Sequence, residues 1–157
     1  MGYEKAVEWN GLIGAFGFIV TFSIAFYLAK LAKKHGAKMI HFACLVFGAI
    51  SFLWFPTIQN QYLFFAVLIG YGIAWASMMG IPYLMVVSEI PKERYGVYMG
   101  IINMMIVIPM IIQTVSFGYI LKNFLNNDPR NAITFAGVLL VLSAIFTLFI
   151  KKNKSIN

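Results

Sequence analysis

Charged side chains are scarce in this chain of 157 residues: they make up 11% of it, whereas hydrophobic residues make up 61%. A water-soluble domain carries roughly 25% charged residues, so the composition excludes an ordinary soluble domain. Acidic residues are the scarcer sign, with five against twelve basic ones and a formal net charge of +7. The basic residues lie between apolar runs instead of clustering on a soluble surface, which argues against a nucleic-acid partner.

The sequence has a single cysteine, Cys44, which excludes a disulfide framework within the chain. No spacing of cysteine and histidine suits a metal site. The five carboxylates all lie in the termini or connections of the apolar runs, so no paired acids or metal ligands lie at membrane depth. These absences predict a protein that is not an enzyme and that has no cofactor and no metal.

Long apolar runs dominate what is present. A helix needs about 20 mostly apolar residues to cross a hydrocarbon core of roughly 30 Å, and five segments meet that requirement. The sequence therefore predicts one all-α membrane domain over residues 1–157, embedded in a lipid bilayer. Its predicted spans are residues 9–31, 39–55, 62–87, 95–121 and 132–150.

Small residues recur at helical spacing in two of these spans. Gly11, Gly14 and Gly17 lie three apart in the first, and Gly72 and Ala76 lie four apart in the third, followed by a further glycine at position 80. Small residues let neighbouring helices approach closely in lipid. Both stripes are predicted to be helix-packing faces.

The basic residues are distributed unequally between the two sides of the membrane. With five spans, one side receives nine lysines and arginines and the other receives three. By the positive-inside rule the richer side is cytoplasmic. We therefore expect a multi-pass protein of the inner or plasma membrane, with its amino terminus outside and its carboxyl terminus in the cytoplasm.

Two aromatic residues of the third span are candidates for binding a sugar. Tyr71 and Trp75 lie four residues apart and share a helix face. Such rings stack on the apolar face of a sugar while their polar edges form hydrogen bonds. Trp75 lies near the bilayer midplane, where an interfacial anchor is not expected. The alternative role is packing against neighbouring helices. The two roles have equal weight for Trp75, and packing is favoured for Tyr71.

The fourth span carries Asn103 and Gln113 within an apolar run. An amide left unpaired in hydrocarbon is costly, and ten residues at 100° each place these two side chains about 80° apart, able to face one cavity. Hydrogen bonding between helices is the alternative. Pro109 lies between them and Pro82 lies in the third span, and each removes a backbone hydrogen bond and predicts a flexible point.

Two further features have an ordinary and a functional interpretation. His41, close to the predicted cytoplasmic end of the second span, is expected to be an interfacial residue whose side chain reaches the surface, in preference to a proton relay. Glu89 and Arg94 belong to a charged cytoplasmic loop. That loop is either a solvated connection or a latch whose ion pairs break when a carrier changes state.

The third and fourth spans also resemble a known family. The segment GIAWASMMGIPYLMVVSEIPKERYGVYMGIINMMIVIP resembles the carboxyl-terminal half of major facilitator superfamily carriers, and is most similar to the sucrose and maltose type of glycoside–proton symporter. The turn from Lys33 to Lys38 is similar to the superfamily's loop between its eighth and ninth helices. The positions that carry the resemblance are Gly72, Trp75, Ala76, Pro82, Tyr83, Gly96, Tyr98, Met99, Gly100, Ile101, Asn103, Ile106, Val107 and Pro109.

The resemblance implies that the five spans correspond to helices eight to twelve, a partial fold that lacks the first helix of its half. It implies a carrier that moves a disaccharide or related glycoside with protons and that is inactive without its amino-terminal half. One departure is that Met110 follows Pro109, where the family often has glutamine; the glutamine here is Gln113. The alternative function is a small accessory or structural membrane protein that transports nothing.

Overall fold

The structure, a computed structural model, describes residues 2–87 and 89–150. These residues form helices joined by short connections, with no strand among them. Three short 3-10 turns, Phe55–Thr57, Gln61–Leu63 and Lys92–Arg94, lie in the connections. The α-helices are α1 Gly2–His35, α2 Ala37–Trp54, α3 Phe64–Val87, α4 Tyr95–Asn123 and α5 Pro129–Leu148.

All five helices are long and apolar enough to cross a membrane. This confirms the all-α fold class with five transmembrane helices. Their bounds differ from the predicted spans: α1 begins at Gly2, well before Trp9, and α5 ends at Leu148 instead of residue 150. The difference at α1 arises because hydropathy marks only the part of a helix that lies in lipid, whereas the helix continues through the polar turn before it.

Local sequence explains where the helices begin and end. Gly36 separates α1 from α2 with a φ of 90°, a conformation that glycine adopts without steric cost. The side chain of Asp128 accepts a hydrogen bond of 2.8 Å from the backbone N–H of Arg130, and Pro129 occupies the first turn of α5. Both are favoured starts for a helix.

The helices pack in the order α1, α3, α2, α5, with α3 between α1 and α2 and with α2 between α3 and α5. Helix α4 is different, since it contacts mainly α3 and has only one buried residue, Ile102. Large hydrophobic side chains cover the outside of every helix. In a bilayer these side chains face lipid, because a spanning helix satisfies its backbone internally and needs no polar exterior.

The close contact between α2 and α3 is made by small residues. A Cβ atom added to Gly70 would collide with the hydroxyl of Ser51, and one added to Gly48 would collide with the Cβ of Ala74. A Cβ added to Gly72 would lie 2.7 Å from Cγ1 of Val20, so α1 approaches α3 closely as well. These three glycines set the spacing of the bundle.

The predicted packing stripes are therefore only partly correct. Gly72 and Ala76 are buried in helix contacts, and Gly17 is buried against Leu68. Gly11, Gly14 and Gly80 have open space beside them, so their prediction as packing residues is wrong. The reason is that spacing identifies a shared helix face but not the length over which a neighbour covers it.

Candidate functional site

The aromatic residues of α3 form a stacked ladder with a residue of α2. The rings of Tyr71 and Trp75 lie 5.9 Å apart at an interplanar angle of 23°, and those of Phe52 and Tyr71 lie 5.8 Å apart at 15°. The four-residue spacing on α3 brings Tyr71 and Trp75 together, as the sequence predicts. Trp75 is 38% exposed, so its ring is not enclosed by packing.

A cavity of about 200 Å³ lies beside this ladder, between α1 and α3. Tyr71 and Trp75 line it from α3, and two polar side chains, Asn10 and Thr21, line it from α1. Gly14 is also at its wall, and its missing side chain leaves the room that a packing contact would fill. Ligand pockets usually measure about 300–1,000 Å³, so this cavity suits one part of a ligand instead of a whole one.

The polar groups of this cavity differ in their availability. The Thr21 hydroxyl donates to the backbone oxygen of Gly17 at 2.9 Å, which leaves its oxygen as an acceptor. The amide of Asn10 is exposed and is able both to donate and to accept. The sequence reading did not select either residue, although both lie on the helix face marked by the first glycine stripe.

The other two predicted site residues do not line this cavity. Asn103 accepts a hydrogen bond of 2.6 Å from the hydroxyl of Tyr83, which joins α4 to α3. Gln113 is exposed and has no hydrogen-bond partner among residues 2–87 and 89–150. The role of both amides in binding a ligand stays a prediction, and the structure supplies Asn103 with the interhelical bond that was its alternative.

The prolines and the charged connection have clear positions. Helix α3 continues through Pro82 and α4 continues through Pro109, so neither proline ends its helix. Glu89 and Arg94 are exposed in the connection between these helices and form no ion pair within the part of the chain that the structure describes. Flexibility at the prolines and a latch at the connection stay predictions.

His41 lies at a place that the sequence did not indicate. Its side chain is only 8% exposed, and its Nδ1 lies 2.7 Å from the hydroxyl of the fully buried Ser77. The expectation of an interfacial histidine is therefore wrong, because the contact of α2 with α3 covers this side of α2. Thr114 of α4, by contrast, donates from its hydroxyl to the backbone oxygen of Met110 in its own helix at 2.8 Å.

Contacts at the two ends of the bundle show the direction in which each helix runs. At one end Trp9 of α1 packs against Tyr62 and Phe65 near the start of α3. At the other end Lys38 donates from Nζ to the backbone oxygens of Leu148 and Ile150, each at 2.7 Å. Successive helices therefore run in opposite directions, as expected for a chain that crosses the bilayer with each helix.

Five apolar antiparallel helices make this a multi-pass membrane protein. The family model described as Major Facilitator Superfamily matches residues 1–114. The chain belongs to the major facilitator superfamily, a family of transporters. No curated protein matches the chain, and no solved structure matches it.

Family membership confirms the coarser part of the resemblance. The predicted superfamily, the membrane environment and the transporter class all follow from the match and from the five helices. The match does not favour the alternative of an accessory protein without transport activity. The glycoside subtype and the position of the chain within a longer carrier remain matters for a proposal.

Proposed function

We propose that this chain is the carboxyl-terminal part of a carrier that moves a disaccharide or related glycoside together with protons. The observation that carries the proposal is the cavity between α1 and α3: the half-exposed Trp75, stacked on Tyr71, lines it from α3, and the polar side chains of Asn10 and Thr21 line it from α1. Flat aromatic faces suit the apolar face of a pyranose ring, and hydroxyl and amide groups suit its edge. The resemblance around Trp75 supports the same ligand class.

The chain by itself does not transport in this proposal. Carriers of this type bind their substrate near the bilayer midplane and rock two halves around it. The cavity holds about 200 Å³, enough for part of a disaccharide, so the remainder of the site belongs to the missing amino-terminal half. Nearly the whole of α4 lacks a helix neighbour, which supports the same incompleteness.

Proton coupling also requires that missing half. An intramembrane relay needs acidic or histidine side chains at depth. All five carboxylates of the sequence lie outside the central turns of the five apolar helices, and the buried His41 lies in the second turn of α2, close to the end of that helix. Asn103 and Gln113, the two amides of α4, lie outside the aromatic cavity, and we keep them as separate proposed sugar contacts of the intact carrier.

We place the amino terminus outside and the carboxyl terminus in the cytoplasm of the inner or plasma membrane. The turn between α1 and α2 and the connection between α3 and α4 lie at the same end of the bundle. Together with the sequence that follows α5, they carry nine of the twelve lysines and arginines. The positive-inside rule then assigns that end to the cytoplasm.

Sugar binding by the purified chain tests the ligand class. The chain is reconstituted in nanodiscs and titrated with maltose and sucrose while tryptophan fluorescence is recorded. We expect saturable quenching in the millimolar range for the unmodified chain. Because one aromatic stack contributes roughly 0.5–1.5 kcal/mol, Trp75→Leu should bind about two- to tenfold more weakly, measured by equilibrium dialysis of labelled maltose because Trp75 is itself the fluorescent reporter. Trp54→Leu is the matched control, since Trp54 is exposed at the end of α2, outside the cavity.

Two results would contradict the proposal. If binding is unchanged in Trp75→Leu, or quenching is absent from the unmodified chain with every glycoside, the sugar does not bind in this cavity. Accumulation of labelled disaccharide by proteoliposomes that contain this chain alone would show that no further half is needed.

A further inference from the structure

Three lysines in the last turns of α1 lie on the face that points away from the bundle. The opposite face is marked by Leu28 and Ala32, which are 7% and 5% exposed in the contacts of α1. At 100° per residue, Lys30, Lys33 and Lys34 occupy an arc of about 100° centred almost opposite Leu28. All three are exposed. Their ammonium groups therefore converge on one outward surface at the end of a spanning helix.

No carboxylate neutralises this surface within residues 2–87 and 89–150. Glu89 and Glu93 lie at the same end of the bundle, but both are exposed and neither forms an ion pair with these lysines. Lys38 is different, because its ammonium group already donates to the end of α5. The three outward lysines thus keep their full charge available to a ligand from outside the chain.

An apolar ridge continues from the lysines toward the middle of the membrane. Phe26 precedes Lys30 by one turn and Phe22 precedes it by two, so the three side chains follow one line along α1. The two rings are 64% and 69% exposed and contact each other edge to face, with centroids 5.4 Å apart. Charge at the helix end and an aromatic ridge at acyl depth together match the two parts of a phospholipid.

We propose that the outward face of α1 binds an anionic phospholipid, with its headgroup at Lys30, Lys33 and Lys34 and one acyl chain along Phe22 and Phe26. The membrane-spanning part of α1 ends at His35, which places the lysines at headgroup level, where their flexible stems reach the interface. Basic clusters beside a spanning helix bind anionic headgroups. The site does not depend on transport and goes beyond the proposed function.

The first test compares lipids on the purified full chain. Native mass spectrometry in detergent follows the binding of phosphatidylglycerol and of zwitterionic phosphatidylcholine with matched acyl chains. The unmodified chain prefers phosphatidylglycerol. Each neutralised lysine weakens that lipid about fivefold, so the triple variant K30Q/K33Q/K34Q loses roughly a hundredfold in affinity for phosphatidylglycerol and keeps its affinity for phosphatidylcholine.

The matched control is the triple variant K5Q/K122Q/R130Q, which removes the same charge from the other end of the bundle. It is expected to keep the preference for phosphatidylglycerol. An equal loss in both triple variants, or an unchanged preference in the first, overturns the proposal. The charge-retaining variant K30R/K33R/K34R keeps the preference for phosphatidylglycerol. Loss of that preference in this variant would also contradict the proposal. If the glutamine triple loses helical content in circular dichroism, the single variant K33Q replaces it, with an expected fivefold loss.

Variants of the aromatic ridge, Phe22 and Phe26, distinguish a bound phospholipid from a bound soluble anion. The double variant F22A/F26A weakens both phospholipids and leaves their ratio unchanged, since it removes acyl contacts but no charge. Soluble glycerol phosphate, added in large excess, leaves phosphatidylglycerol bound. Displacement of the lipid by glycerol phosphate would show a site for a free phosphate and would overturn the assignment to a phospholipid.

Discussion

Single polar side chains determine which helix faces of this apolar bundle meet. Ser77 has no exposed surface, and its hydroxyl and the imidazole of His41 satisfy each other between α2 and α3. Tyr83 and Asn103 do the same between α3 and α4. Apolar packing in lipid has little directional preference, so such hydrogen bonds fix which faces meet.

Removal of the Ser77 hydroxyl should measure the strength of the buried pair. In Ser77→Ala the imidazole of His41 keeps its burial but loses its partner, and we expect the free energy of unfolding to fall by about 1 kcal/mol. Unfolding of the reconstituted chain with sodium dodecyl sulfate measures the loss. Ser23→Ala, an exposed serine of α1 without a described partner, should leave the midpoint unchanged; an equal fall in both would refute a special role for the pair.

At the scale of the helices, α1, α2, α3 and α5 pack closely together and α4 is nearly free. Small residues bring α2 and α1 against α3, whereas α4 contacts mainly α3 and buries only Ile102. Association of helices in lipid rests on close packing, because lipid is as apolar as the side chains. The glycines at the α2–α3 contact therefore contribute more to stability than those on open faces.

Two glycines of α3 provide a matched comparison of this point. In Gly70→Ala the added Cβ enters the space of Ser51, and its Cβ would lie 2.8 Å from that of Ser51, so α2 and α3 must separate. We expect a loss of about 1–3 kcal/mol. In Gly80→Ala nothing lies within 4 Å, and helix propensity should raise stability by about 0.5–1 kcal/mol. The same detergent titration measures both, and effects of equal sign would contradict the packing of α3.

The whole molecule is an antiparallel set of five helices with a strongly basic end. That end contains the turn between α1 and α2, and the ammonium group of Lys38 closes it onto the end of α5. A cation at a helix carboxyl end is favoured by the helix dipole. The same end carries the proposed lipid site and, under the proposed topology, faces the cytoplasm.

Thiol labelling in cells tests the proposed topology. On a Cys44→Ala background, Lys122→Cys should react with a membrane-impermeant maleimide in intact cells, because residue 122 lies at the less basic end. Lys33→Cys should react only after permeabilisation. Both side chains are exposed in the structure, so access to the reagent depends on the side of the membrane. The reverse pattern would invert the orientation, and labelling of both in intact cells would contradict the alternating topology.

The sequence by itself determined the membrane class, the five apolar helices and the superfamily, because each depends on local quantities: the length of an apolar run, the charge of a connection and the order of residues in a motif. It also determined that Tyr71 and Trp75 share a face, since that follows from helical periodicity. These properties need no knowledge of which helix lies beside which.

Only the tertiary structure decided which faces are covered. It buried His41 against Ser77, gave Gly70 and Gly48 the close contacts that spacing assigned to other glycines, and placed Asn10 in the wall of the cavity that Trp75 also lines. It also separated Asn103 from the aromatic cavity. Neighbours in these contacts are distant in sequence, and in a chain where nearly every helix face is apolar, hydrophobic periodicity does not distinguish the face that meets lipid from the face that meets another helix.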